Sequence, residues 1–96
     1  MYATVRMYEG VTDSSELGRR VNEGFVPIIS EMPGFVDYYF VDAGGGVMIS
    51  LSVFEDQAGA EESNSRAVDW VQQNVDSLIP NPPQATDGEV VAPKAM

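Results

Sequence analysis

The side chains that this sequence lacks limit the chemistry that it can perform. It contains no cysteine and no histidine. Disulfides, thiolate nucleophiles and the usual zinc sites are therefore excluded, as are an imidazole general base and a histidine ligand to haem iron. Any reaction must depend on carboxylates, phenols, amides, arginine or the single indole, Trp70.

These groups must be positioned by a small set of strands and helices. Residues 2–8 alternate in polarity and predict a half-buried strand that carries Arg6. Asp13 and Glu16 form a capping-box pattern before a helix. The apolar stripe of that helix is Leu17, Val21, Phe25, Ile28 and Met32. Pro27 lies inside the pattern, so we expect a kink or a looser last turn before Gly34 ends the helix.

The middle of the chain predicts a β-hairpin followed by a second helix. Residues 35–42 and 47–54 are rich in aromatic and β-branched side chains, and Gly44–Gly46 forms the loop between them. Asp56 is the expected N-cap of the helix, which continues to Leu78. The expected buried side of this helix consists of Ala60, Asn64, Ala67, Val71, Val75 and Leu78.

The last part of the chain predicts one more strand. Ile79 and Pro80 stop the second helix, and residues 84–88 are expected to be a linker. Residues 89–92 predict a short final strand, and residues 93–96 a frayed tail.

The order strand, helix, strand, strand, helix, strand predicts a ferredoxin-like α+β fold. A single domain would span residues 1–96, with a four-stranded antiparallel sheet and both helices on one face. The other face of the sheet also carries apolar side chains, and so small a chain cannot leave that face exposed to water. We therefore expect a homodimer in which two sheets close into an α+β barrel.

Composition and charge exclude several classes of partner. The net charge of −10 disfavours nucleic acid and anionic lipid surfaces. No apolar run approaches the roughly 20 residues that a membrane span requires. The first residues lack the layout of a signal peptide, so a cytoplasmic protein is expected.

Several segments resemble the antibiotic biosynthesis monooxygenase (ABM) superfamily of dimeric α+β barrels. The resemblance covers roughly residues 2–92. It rests on the first strand, the capped helix, Met32-Pro33-Gly34-Phe35, Val53-Phe54-Glu55-Asp56 and Trp70. It implies a cofactor-independent monooxygenase that acts on a small aromatic compound such as a quinol or an anthrone, with no metal and no cofactor. The haem-degrading members of that superfamily rely on a histidine, so this branch is rejected.

The resemblance also implies a set of site residues. The catalytic candidates are Trp70, Arg6 and Asn64, which would offer an indole N–H, a cation and an amide. The candidates for substrate binding are Tyr39, Tyr38, Phe25 and Val71. Asp37 is a candidate base if burial raises its pKa.

Each of these candidates also has a purely structural interpretation. Trp70 is expected to pack in the core, and Arg6 to point outward from its strand and pair with a carboxylate. Asn64 could be a surface amide and Asp37 a solvated carboxylate at a strand edge. Tyr38 and Tyr39 must point to opposite faces of the sheet, so at most one lines a given pocket.

Two alternatives to an enzyme remain open. One is a non-catalytic dimer that binds a small apolar or aromatic ligand. The other is an interaction module whose interior is filled with side chains and which has no cavity of a few hundred Å³, the low end for ligand sites.

Overall fold

A computed structural model of the chain describes residues 1–92, so the predicted tail at residues 93–96 lies outside the described residues. Four strands and three α-helices make up the fold. They are β1 (Tyr2–Tyr8), α1 (Ser14–Arg20), α2 (Val26–Ser30), β2 (Phe35–Gly44), β3 (Val47–Phe54), α3 (Gln57–Asn74) and β4 (Gln84–Glu89). A π-helical segment, Val21–Phe25, joins α1 to α2, and a 3₁₀ turn, Asp76–Leu78, follows α3.

The sheet has the strand order β2-β3-β1-β4, and all neighbouring strands are antiparallel. The helices pack on one face of it, where the core lies. This arrangement confirms the predicted ferredoxin-like fold. Core residues from the helices include Leu17, Phe25 and Ile29, which are at most 4% exposed.

The helical region before β2 is interrupted, but by the π-helical segment that precedes Pro27 rather than by a kink or a looser turn after it. Val26 donates its backbone N–H to the carbonyl of Val21, five residues back. A π turn contains one more residue than an α turn, so the residues after it that face the sheet are shifted by one position along the chain. Ile29 is therefore buried at 1% exposure, whereas Ile28, which the regular spacing predicted to be inside, is 38% exposed.

The predicted N-caps of both helices are present. Asp13 accepts a hydrogen bond from the Glu16 N–H at 3.1 Å, and Asp56 accepts one from the Gly59 N–H at 2.8 Å. The Glu16 carboxylate does not complete a capping box, because it pairs with Arg19 and Arg20.

The end of the chain differs from the prediction. The α-helix ends at Asn74 rather than at Leu78, and the expected linker 84–88 is itself the main part of β4. All six residues of β4 are exposed. Because this edge strand is held by backbone pairing with β1, its side chains show no apolar alternation and gave no strand signal.

The two faces of the sheet carry unexpected side chains. The helix-covered face of β1 and β3 holds Thr4, Arg6, Ser50 and Ser52, all buried. Arg6 therefore points inward, and the expectation that it faces outward is wrong. The opposite face, which no described element covers, carries Val5, Ile49, Leu51, Val53, Tyr39 and Val41. Val5, Tyr39 and Val41 are 42%, 54% and 50% exposed.

No helix within residues 1–92 is long and apolar enough to cross a membrane.

Candidate active site

A small cavity lies between the sheet and the helices, and it has an open volume of about 20 Å³. Its walls are mostly aliphatic and aromatic, and its polar atoms come from β1, β2 and β3. The lining residues are Arg6, Tyr8, Leu17, Val21, Phe25, Ile29, Tyr38, Phe40, Ser50, Ser52, Ala67, Trp70, Val71 and Ile79. We call this space the inner cavity.

A second space of about 340 Å³ adjoins the inner cavity. It lies between α3 and the proline-rich segment that leads to β4, and we call it the outer cleft. Its lining residues are Arg6, Tyr8, Ala67, Val68, Val71, Gln72, Asp76, Ile79, Pro80, Asn81, Pro82 and Pro83. Both spaces share Arg6, Tyr8, Ala67, Val71 and Ile79, which form the boundary between them.

Arg6 is the cation of the site. It is only 8% exposed, and no carboxylate of residues 1–92 lies within ion-pair distance of it. Arg19, Arg20 and Arg66, in contrast, pair with glutamates on the surface. A buried charge without a counter-charge is costly to folding. The position of Arg6 therefore points to an anion that binds in the adjoining space.

Two phenols share the polar side of the inner cavity with Arg6. Burial raises the pKa of Tyr8, and the Arg6 charge partly opposes that rise. Burial raises the pKa of Tyr38 further, and the Arg6 charge again opposes the rise. Both phenols consequently stay protonated at neutral pH. They are hydrogen-bond donors rather than bases.

Trp70 and Phe25 form the aromatic wall. Their ring centroids are 5.6 Å apart, and Phe25 also meets Tyr38 edge-on at 5.8 Å. The π-helical segment approaches Trp70 closely through Gly24. A Cβ atom at this glycine would lie 2.8 Å from Cζ2 of the indole. The glycine thus allows the wall to close against α3.

The structure brings most of the predicted site residues together. Arg6, Trp70, Tyr38, Phe25 and Val71 all line the inner cavity. Nine residues that sequence analysis did not select for the site join them, namely Tyr8, Leu17, Val21, Ile29, Phe40, Ser50, Ser52, Ala67 and Ile79. Tyr8 had a detectable signal, because it lies on the same face of β1 as Arg6.

Asn64, Tyr39 and Asp37 lie elsewhere. Asn64 donates to the Asp87 carboxylate at 3.3 Å, and its own Oδ1 is buried without a partner. Tyr39 lies on the uncovered sheet face and donates to Asp37 at 2.8 Å. Because Asp37 shares that face, its carboxylate cannot act as a base in the inner cavity of the same chain.

The acidic residue of the outer cleft is Asp76, which sequence analysis did not select. It begins the 3₁₀ turn and is exposed at the rim. No group of three or more acidic side chains that could hold a metal ion occurs in the described part of the chain.

No protein-family model and no curated protein matches the sequence. Solved structures do match the fold. A monooxygenase from Streptomyces coelicolor, ActVA-Orf6 in complex with nanaomycin D, has a TM-score of 0.71 at 17% identity, over 97% of this chain and 92% of that one. SnoaB, a cofactor-independent oxygenase from Streptomyces nogalater, has a TM-score of 0.75 at 10% identity, over 99% and 97%.

A third structure that matches is the heme-degrader MhuD from Mycobacterium tuberculosis, with a TM-score of 0.72 at 14% identity, over 97% of this chain and 98% of that one. The chain therefore has the ferredoxin-like fold of ABM superfamily proteins, as the sequence resemblance implied. Since similar backbones occur in oxygenases and in a heme-degrader, the fold by itself does not select a reaction.

Proposed function

We propose that this protein is a cofactor-independent monooxygenase that oxidises a small aromatic compound of the quinol or anthrone type. The observation that carries the proposal is Arg6, a buried guanidinium without an ion-pair partner in residues 1–92, at the boundary between an aromatic cavity and a cleft. The cleft, at about 340 Å³, is within the range of small-molecule sites.

The proposed reaction begins when the substrate in the outer cleft loses a proton. Asp76 is the carboxylate that lines the cleft, and we assign it as the proton acceptor. Arg6 then stabilises the organic anion, and the attraction is strong because the surroundings are largely apolar. For an anthrone, one CH₂ group and one O₂ yield one carbonyl group and one water. No external reductant is needed.

The remaining wall residues orient the ring and its oxygen atoms. Tyr8, which lines the cleft, would donate a hydrogen bond from its protonated hydroxyl to developing negative charge. Val71 and Ile79, which line the cleft, would pack against the ring, whereas Phe25 and Trp70 line only the inner cavity. Asn64 has no proposed role at this cavity, because its amide faces Asp87.

The structural relatives support this class of reaction without defining its substrate. ActVA-Orf6 is a monooxygenase and SnoaB is a cofactor-independent oxygenase. The heme-degrader shares the fold, but the present sequence contains no histidine. We therefore propose an oxygenase rather than a haem-degrading enzyme.

A dimer that binds a small apolar or aromatic ligand without turnover is the second candidate function, and the same cleft favours it. The third interpretation, a module filled with side chains, is disfavoured because it required the absence of a space such as the outer cleft.

We also propose that two copies associate through the uncovered sheet face. Val5, Val41 and Leu51 lie together on that face, in neighbouring strands. A contiguous apolar surface of this kind marks an interface in a water-soluble protein. Tyr39 would then pack at the dimer interface rather than in the cavity.

The test of the proposed function is oxygen consumption by the purified protein with anthrone and with a naphthohydroquinone, each without added metal. An oxygenase consumes one O₂ and releases one water per turnover, and it converts anthrone to anthraquinone and the naphthohydroquinone to a hydroxynaphthoquinone; formation of the simple naphthoquinone with hydrogen peroxide would indicate oxidation without oxygen insertion. Thermal stabilisation of the protein by these compounds, without oxygen uptake, would instead support the ligand-binding function.

A further inference from the structure

The inner cavity is a small space with hydrogen-bond donors in its walls, and it adjoins a cleft that is large enough for an aromatic ring. We propose that the inner cavity is an oxyanion pocket, which receives the ionised oxygen of a phenolic or enolic substrate whose ring stays in the outer cleft. This inference rests on the anionic aromatic substrate of the proposed function. It adds which atom of that substrate enters which space.

The size of the inner cavity fits a single oxygen atom. One bound water needs roughly 10–15 Å³ by the same measure, and the cavity offers about 20 Å³. A ring is too large for this volume, but an oxygen substituent of the ring is not. The outer cleft, at about 340 Å³, has room for the ring itself. Of the residues that line both spaces, Ala67 has the smallest side chain, so the ring and its oxygen can lie on either side of this position.

The register of the sheet brings the donors of the inner cavity together. Arg6 on β1 is directly opposite Ser50 on β3. One row further along, Ser52 on β3 is directly opposite Tyr38 on β2. Opposite residues of neighbouring strands share a face of the sheet. These four side chains and Tyr8 all line the inner cavity, so a guanidinium and four hydroxyls surround one small volume.

Charge distinguishes an ionised oxygen from a water molecule as the occupant of this pocket. Water could accept hydrogen bonds there, but it could not neutralise Arg6, which is 8% exposed and has no ion-pair partner in residues 1–92. No aspartate or glutamate of the described chain lines the inner cavity, and the Asp76 carboxylate lies in the outer cleft. A buried cation surrounded by O–H donors stabilises an oxyanion most strongly.

The pocket therefore selects a class of ligand, namely aromatic compounds that carry a free, ionisable oxygen. A methyl ether of the same ring has no negative charge, and its extra carbon exceeds the space for one atom. Tyr38, Ser50 and Ser52 line only the inner cavity, so they would contact the oxygen and not the ring. Their removal should affect the binding of the anion specifically.

The absorption spectrum of bound 2-naphthol tests the pocket without any turnover. The naphtholate anion absorbs at a longer wavelength than neutral naphthol and than the protein, so a pH titration of the complex gives the pKa of the bound naphthol. We expect the wild-type protein to lower that pKa by about 1–3 relative to water, as an opposite charge in contact with an acid does. Arg6→Gln should abolish the effect. Where the bound naphthol is ionised, 2-methoxynaphthalene should bind about tenfold or more weakly.

Matched tyrosine substitutions locate the oxygen. Tyr38→Phe keeps the ring and removes a hydroxyl that lines only the inner cavity, so it should weaken naphtholate binding about tenfold. Tyr2→Phe removes the same group from a residue that lines neither space, and it should leave both the affinity and the naphthol pKa unchanged. Ser50→Ala serves as a second variant if Tyr38→Phe unfolds.

Two results would overturn the oxyanion pocket. One is the same naphthol pKa and affinity in the wild type and in the folded Tyr38→Phe or Ser50→Ala variants. The other is a crystal structure of the complex with the naphthol oxygen in the outer cleft and only a water in the inner cavity.

Oxygen uptake separates this proposal from the proposed function. Turnover of anthrone by a protein that binds naphthol only in its neutral form would refute the oxyanion pocket but not the oxygenase. Naphtholate binding that depends on Arg6 and Tyr38, without oxygen uptake from anthrone or the naphthohydroquinone, would support the pocket and refute the oxygenase.

Discussion

Arg6 occupies a position where a ferredoxin-like sheet is expected to present hydrocarbon to its helices. Its neighbours across the sheet are small or exposed, with Ser50 opposite it on β3 and Ala85 on β4. These short side chains leave room for the guanidinium, and the phenols of Tyr8 and Tyr38 lie beside it. The residues around Arg6 solvate the cation only partly, which keeps it available to an anionic ligand.

Alternation in the strands indicated that Arg6 and Tyr8 lie on one side of β1 and that Ser50 and Ser52 lie on one side of β3. It did not indicate that the helices would cover this more polar face of the sheet. In β1 and β3, the more apolar side chains lie on the opposite side. Burial of the polar face follows from where α1, α2 and α3 cross the sheet. Sequence periodicity does not contain that information.

The raised pKa of Tyr38 predicts a loss of stability in alkali. The folded protein keeps the phenolic proton at a pH where the unfolded chain has released it. The free energy of unfolding is therefore unaffected by this group below about pH 10 and falls above it, by about 1.4 kcal/mol per pH unit. In Tyr38→Phe this contribution is absent, so the decline above pH 10 should be shallower.

Urea unfolding at pH 8 and at pH 11 measures this effect. The difference between Tyr38→Phe and wild type at pH 8 gives the change in packing, and only the further change at pH 11 reports the titration. Equal alkaline losses in the two proteins would show that the Tyr38 phenol is not held in its protonated form by the fold.

At the level of elements, the π-helical segment Val21–Phe25 determines the shape of the inner cavity. It contributes Val21 and Phe25 to the walls and places Gly24 against Trp70. Pro27 indicated an interruption of the helix. No feature of the sequence indicated the π geometry or the resulting burial of Ile29 in place of Ile28. Hydrogen bonding five residues back depends on packing against the sheet as well as on the proline.

Gly24→Ala should disturb this contact. The new methyl group would lie 2.8 Å from the Trp70 ring, so the indole or the segment must move. We expect a loss of about 1–3 kcal/mol in the free energy of unfolding and a shift in the emission of Trp70, the single tryptophan.

Gly18→Ala is the matched control in the same helical region. Nothing lies within 4 Å of the added methyl group, and alanine favours the helix, so stability should rise by about 0.5–1 kcal/mol. If Gly24→Ala stabilised the protein as Gly18→Ala does, the close approach of Gly24 to Trp70 would be refuted.

The caps and the hairpin were the elements that sequence described best. Asp13 and Asp56 cap their helices, and Gly45 and Gly46, both with positive φ, form the turn between β2 and β3. β4 was missed because an exposed edge strand depends on backbone pairing alone. Caps and turns depend on neighbouring residues and can be predicted from sequence, whereas the pairing of two distant strands cannot be predicted when one of them has no apolar pattern.

For the whole molecule, the uncovered face of the sheet predicts the assembly. Leu51 lies at its centre, opposite Val5 on β1 and Tyr39 on β2. Light scattering should give twice the chain mass of 10.4 kDa for wild type. Leu51→Asp places a charge in the apolar interface and should yield the monomer.

Gln73→Asp is the control for that experiment, because it adds the same charge on the exposed side of α3. It should remain dimeric. A wild-type protein that is monomeric at micromolar concentration, with the sheet face exposed to water, would refute the barrel.

The proposed chemistry depends on a single cation, so the most direct measurement compares oxygen consumption in two arginine variants. Arg66 lies on the surface of α3 and pairs with Glu62 at 3.3 Å. Arg66→Gln removes the same charge as Arg6→Gln without affecting the cavity. Thermal unfolding first establishes that both variants are folded.

With anthrone as substrate, Arg6→Gln should lower the turnover rate by about 100-fold, the usual effect of removing one group that stabilises a developing anion. Arg66→Gln should consume oxygen at the wild-type rate. If a folded Arg6→Gln variant also turned over at the wild-type rate, the guanidinium would have no part in the reaction and the account of this site would be contradicted.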